Sequence, residues 1–102
     1  MWLVLKYNRK EFHFLKEIFK KKMGDSLQIY KPRIKLQRLV KNKIKFLEKD
    51  LLDDYLFCYH EKFKNKKLLM LLNNSRGLKY FLKNSMSDQT EIVNFIQFCK
   101  KN

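Results

Sequence analysis

The segment "LLDDYLFCYH", residues 51–60, decides the fold. Side chains alternate across a strand, so Tyr55, Phe57 and Tyr59 fall on one face and Leu56, Cys58 and His60 on the other. Both faces are largely apolar. That pattern predicts a central strand covered on two sides, or one with a face kept for a partner. Asp53 and Asp54 before it predict a turn, because short acidic side chains tolerate turn conformations.

Working outward, "WLVLKY" (residues 2–7) is a second short run of strand formers. In "NRKEFHFLKEIFKKKM" the period becomes helical, with Phe12, Leu15, Phe19 and Met23 on one face beside Phe14 and Ile18. Gly24 predicts the stop. "SLQIYKPRIKLQRLV" cannot stay helical through Pro32 and reads as extended, although Arg38 breaks its alternation and Leu39 opposes it. "KNK" then predicts a hairpin turn into "IKFL", giving a basic two-stranded ribbon. Downstream, "EKFKNKKLLMLLNN" predicts one Leu-rich helix and "GLKYFLK" a strand with Leu78, Tyr80 and Leu82 opposite Lys79 and Phe81. "SDQTEIVNFIQFCKK" predicts a final helix, with Asp88 as its cap, Glu91 in capping-box register and Ile92, Phe95, Ile96 and Cys99 inward. The whole predicts a single α+β domain over residues 1–102, an antiparallel or mixed sheet packed with three helices.

Charge is the dominant global feature. Twenty-four Lys and Arg against ten Asp and Glu give a formal charge of +14 in 102 residues. Residues 31–45 carry seven basic side chains and no acid. Such a field concentrates polyanions and speeds encounter with nucleic acid. No apolar run reaches the eighteen or so residues of a membrane span, and no basic leader precedes the first strand, so a cytoplasmic protein with reduced Cys58 and Cys99 is expected. His13 and His60 have no carboxylate or thiol at ligand spacing, and no phosphate-binding glycine loop is present. Asp50, Asp53 and Asp54 read as a turn balancing nearby lysines. No enzyme, metal or cofactor is expected.

Four segments in order carry a resemblance: "WLVLKYNRKE", "LLDDYLFCYH", "SRGLKYFLK" and "MSDQTEI". Together they resemble the N-terminal domain of the NusG/RfaH family from Trp2 to about Ile96. Asp53 and Asp54 depart from that family's turn residues, and with the sequence ending at Asn102 an isolated first domain without the family's C-terminal KOW barrel is expected, such as a phage, plasmid or degenerate specialised paralogue could encode. The resemblance implies a transcription elongation or antitermination factor, a monomer when free, bridging the RNA polymerase cleft. It implies a pocket for the β′ clamp helices formed by Tyr55 and Phe57, with Trp2 and Phe81 in its wall. It implies non-template DNA contacts by Asn8, Arg9, Lys10, Ser75 and Arg76, and a contact to the β-subunit gate loop near Lys66 and Lys67. Two other readings stand beside it: a competitor that displaces the host NusG, and a general basic nucleic-acid-binding module.

Overall fold

The computed structural model describes residues 1–83 and 88–101. Strand β1 (Trp2–Tyr7) leads through a 3₁₀ turn (Arg9–Glu11) into helix α1 (Phe12–Met23). Strands β2 (Gln28–Tyr30), β3 (Arg33–Val40), β4 (Lys43–Asp50) and β5 (Tyr55–Tyr59) follow. A second 3₁₀ turn (Glu61–Lys64), helix α2 (Lys66–Leu72), strand β6 (Leu78–Phe81) and helix α3 (Gln89–Lys101) complete the order. The fold is α+β: a four-stranded antiparallel sheet in the order β2-β5-β1-β6, and a separate β3-β4 ribbon.

Two-sided coverage of the sheet follows from the register. Leu3, Leu5 and Tyr7 of β1 point with Leu56 and Cys58 of β5 towards Leu15 and Phe19 of α1 and Leu72 of α2. Trp2, Val4 and Phe57 point the other way, against Ile92, Phe95 and Ile96 of α3. Each fully buried aliphatic or aromatic side chain contributes about 1.5–3 kcal/mol. Helix α3 is also held by polar bonds: the Trp2 N–H donates to Gln89 Oε1 at 2.8 Å, and Gln89 Nε2 donates to the Trp2 carbonyl at 2.6 Å. Its first turn closes through Asp88, whose carbonyl accepts from the Ile92 N–H at 3.0 Å.

Three local predictions need correction. The expected helix from Glu61 is two pieces, because the Asn65 side chain accepts from the Lys67 N–H at 3.0 Å and caps a new start. The extended segment after Leu27 is likewise two strands, split by buried Pro32. In β6 an extra residue, Lys79, shifts the register: Leu78 pairs with Tyr7 and Tyr80 with Lys6. Leu78 and Phe81 therefore share the α1 side instead of opposing one another.

His60 is structural. Its Nδ1 accepts from the Lys62 N–H at 3.0 Å, while Nε2 lies 3.0 Å from both the Met23 carbonyl oxygen and the Ser26 hydroxyl. The ring thus ties the end of β5 to the end of α1. Cys58 is sealed in the core, and burial pushes its thiol up to about 12. Half-exposed Cys99 is raised by the same cause.

Gly77 sits at φ +94°, and a Cβ there would lie 2.8 Å from the Glu11 carbonyl oxygen and 3.2 Å from Leu15 Cβ. The glycine lets the turn before β6 touch the start of α1, while Asn8 N–H donates to the Gly77 carbonyl at 2.7 Å. Gly77→Ala is expected to cost roughly 2 kcal/mol or more, combining left-handed strain with a backbone clash. Urea unfolding measures this, and an unchanged midpoint would contradict the close approach. A thiol reagent at pH 8 should modify Cys99 while native Cys58, sealed in the core with its thiol pushed up by burial, stays unlabelled until unfolding. Peptide mapping reads out the two sites.

Candidate functional site

On the α3 side of the sheet the helix covers only part of the surface. Trp2, Val4, Phe57 and Tyr30 lie beneath or beside it. Lys6, Tyr55 and Tyr80, further along the same side, lie outside that cluster. The Lys6 ammonium sits 5.6 Å from the Tyr55 ring centroid and 6.0 Å from that of Tyr80, and 3.9 Å from Asp54. A hydrogen bond with Tyr80 is the largest cause raising the Tyr55 phenol above its ordinary value. The result is a two-tyrosine platform, joined through the hydroxyls, with a cation beside both rings; aromatic residues of this kind anchor protein interfaces.

Next to the platform a recess of about 270 Å³ opens between α3 and the sheet, lined by Val4, Phe57, Leu82, Ile92 and Phe95. Asp88 and Glu91 stand at its edge. Two carboxylates here are conspicuous in a chain with ten acids and a charge of +14. They repel phosphate and favour a basic or neutral protein surface.

The sequence-derived pocket residues divide. Tyr55, Phe57 and Trp2 share the α3 side, but Phe57 is only 5% exposed and acts as the floor of the recess. Trp2 is half-buried, its ring 5.4 Å from that of Tyr59. Phe81 lies on the other side of the sheet, stacked 6.3 Å from Phe19. There it lines a different recess, of about 290 Å³, with Leu69 and Met70 of α2 and Lys66. Lys66 and Lys67 are both exposed at the capped start of α2. Tyr80, Lys6, Met70 and the acidic edge were missed. Tyr80 takes its place only through the bulge at Lys79, which alternation cannot show.

The residues expected at DNA do come together. The loop carrying Asn8, Arg9 and Lys10 packs on the turn carrying Ser75 and Arg76, through the Asn8–Gly77 backbone bond and an ion pair between Arg76 and Glu11. The Arg76 guanidinium also lies 3.7 Å from the Phe14 ring centroid, so it is held flat against α1 yet exposed. Beyond it a groove of about 690 Å³ is lined by Arg76, Lys21, Lys22 and Ile18. Two of the five side chains have other work. Ser75 is 6% exposed and its hydroxyl is buried, so it does not face outward. Asn8 caps the 3₁₀ turn, accepting from the Lys10 N–H at 3.1 Å and donating to Glu11 at 3.1 Å. Arg9, 3.4 Å from Asp50, and Lys10 keep their charges at the surface.

Among the described residues no helix is long and apolar enough to cross a membrane. Compared with known protein families and with curated proteins, the chain matches none. The geometry separates Tyr55 and Phe57, which the resemblance had put into one role. Phe57→Ala is expected to lose about 3–5 kcal/mol of stability by leaving a cavity under α3, whereas Tyr55→Ala should change it by about 1 kcal/mol or less. Parallel denaturation curves check this; equal losses would mean that Tyr55 is core.

Proposed function

We propose that this protein is a NusG-like transcription factor that binds RNA polymerase as it elongates and acts by binding rather than by catalysis. The observation that carries the reading is the Tyr55–Tyr80 platform beside the acid-edged recess under α3. In this reading the tip of the β′ clamp helices rests on the two phenol rings and enters the recess over Phe57. Carboxylates at the edge make that surface a poor site for nucleic acid and a good one for a protein with basic side chains. The cationic loop of Arg9, Lys10 and Arg76, extended by Lys21 and Lys22, supports contact with the non-template strand. Lys66 and Lys67, on α2 across the sheet, remain the proposed approach to the gate loop.

Two modest contacts on one rigid body reinforce each other through effective concentration. Clamp opening must break one of them, so the bound enzyme pauses and terminates less. Displacement of the host's own NusG from the same surface follows from any such occupancy. The second reading, a general basic nucleic-acid module, draws on the charge of +14. It gives no role to half-buried Tyr55 and exposed Tyr80 next to carboxylates.

The two readings part on one experiment. Purified polymerase is retained on the immobilised protein, then challenged with the variants Tyr55→Ala and Tyr80→Ala at low and moderate salt. Loss of an interface anchor of about 2 kcal/mol lowers affinity about thirtyfold at both salt concentrations. Retention that ignores both tyrosines and falls only with salt would reject the polymerase reading in favour of the basic module.

A further inference from the structure

The ribbon is the one large feature that the proposed function does not use. An eight-residue ribbon rises about 26 Å, and the molecule is 55 Å long but only 29 and 23 Å across. Among the described residues β3 and β4 pair only with each other, and from Lys35 to Lys49 every residue is exposed except half-buried Val40. At its root, Asp50 gathers Arg9, Lys31 and Arg33 within 3.4–3.8 Å, and Leu51 N–H donates to the Pro32 carbonyl at 2.9 Å. The tip turns through Lys41 and Asn42, both at positive φ (51° and 63°), the two-residue turn that matches strand twist.

Cross-strand partners share a side, and the register sorts the tip by chemistry. Arg38 pairs with Lys45 and Val40 with Lys43, giving one side a cationic cluster. Gln37 pairs with Phe46 and Leu39 with Ile44, giving the reverse side an apolar cluster. Phe46, Leu39 and Ile44 are 67%, 71% and 63% exposed. Between Ile34 and Leu47 there is no acid. Near the root the arrangement inverts, with Leu36 and Leu47 on the side that is cationic at the tip. That inversion is why Arg38 and Leu39 break the alternation in the sequence.

We propose that the ribbon tip binds single-stranded RNA, with a base stacked on Phe46 and the phosphates following Lys43, Lys45 and Arg38. Neighbouring residues of β4 point to opposite sides, so a strand crossing the free edge of β4 meets Phe46 with its base and Lys45 with its phosphate. Stacking plus cations, without base-specific bonds, is how single strands are held. Gln37 beside the ring adds a hydrogen-bonding group for a base edge or ribose hydroxyl. A duplex would use the cationic side alone and leave the apolar cluster in water. A lipid surface taking the apolar side would leave Arg38 and Lys45 facing away from its headgroups. A second copy would bring two tips of like charge together. Unpaired bases are the ordinary state of RNA loops and ends and the exception in DNA, which selects RNA.

The inference does not rest on the polymerase reading and is tested without polymerase. Anisotropy of a labelled unstructured dodecamer is measured with the full chain, as RNA and as DNA of matching sequence, across a salt series. Wild type should bind the RNA at least as tightly as the DNA. Phe46→Ala should weaken RNA binding about tenfold with an unchanged salt slope, and Phe46→Trp should restore it. Arg38→Gln combined with Lys45→Gln should flatten the slope by about 1.4, near 0.7 per cation. Trp2 lies in the body, so its fluorescence reports the fold of the alanine and glutamine variants, and far-UV circular dichroism reports that of Phe46→Trp, which carries a second tryptophan. Full RNA affinity in Phe46→Ala overturns the proposal, as does tighter binding of the DNA. So does a loss in Phe46→Ala of binding to phosphatidylserine vesicles with RNA binding intact.

Discussion

Everything in this structure is arranged around β1, a six-residue strand hydrogen-bonded on both edges and packed on both sides. Its inward residues Leu3, Leu5 and Tyr7 anchor α1 and α2, and Trp2 and Val4 anchor α3. The strand is longer than α3 can cover, and the shortfall falls at Lys6, opposite Tyr55 and Tyr80. The aromatic platform left uncovered by α3 is thus a consequence of where one helix is pinned. Gln89, clasping both backbone groups of Trp2, does the pinning.

The same economy organises charge. Acids are few, and among the described residues four are paired with cations: Glu11 holds Arg76, Asp50 gathers the cations at the ribbon root, Glu48 meets Arg33, and Asp54 meets Lys6. Asp88 and Glu91 stand apart from these at the edge of the recess. Surface pairs of this kind add little stability each, generally below about 1 kcal/mol. Their effect is to divide the surface into an apolar, acid-edged face suited to protein and cationic edges suited to phosphate.

Much of this was legible in the sequence, for identifiable reasons. β1, α1, β5 and α3 each bury a face, so hydrophobic period reveals them. The ribbon was legible as a ribbon through Pro32 and "KNK", yet β4 runs on to Asp50 because backbone pairing continues where side chains are polar and give no period. The break at Asn65 depends on a capping bond that competes with a helical pattern on both sides of it. At the site, alternation placed Tyr55 and Phe57 on one strand face and the resemblance singled them out, while Tyr80 and the placement of Phe81 depend on one extra residue in β6. Ser75 was misread as outward because a hydroxyl in a turn gives no sign of burial. Gly77 was legible as a turn, but its close approach to Glu11 is a tertiary fact.

The account stands most directly on where the Tyr55–Tyr80 platform goes. A photo-crosslinking phenylalanine analogue in place of Tyr80, irradiated with a purified elongation complex, reports its neighbour without requiring a stability comparison. The proposal predicts crosslinks to the tip of the β′ clamp helices, lost on competition with NusG. Crosslinks to nucleic acid, or none to polymerase under conditions where the protein is bound, would contradict it.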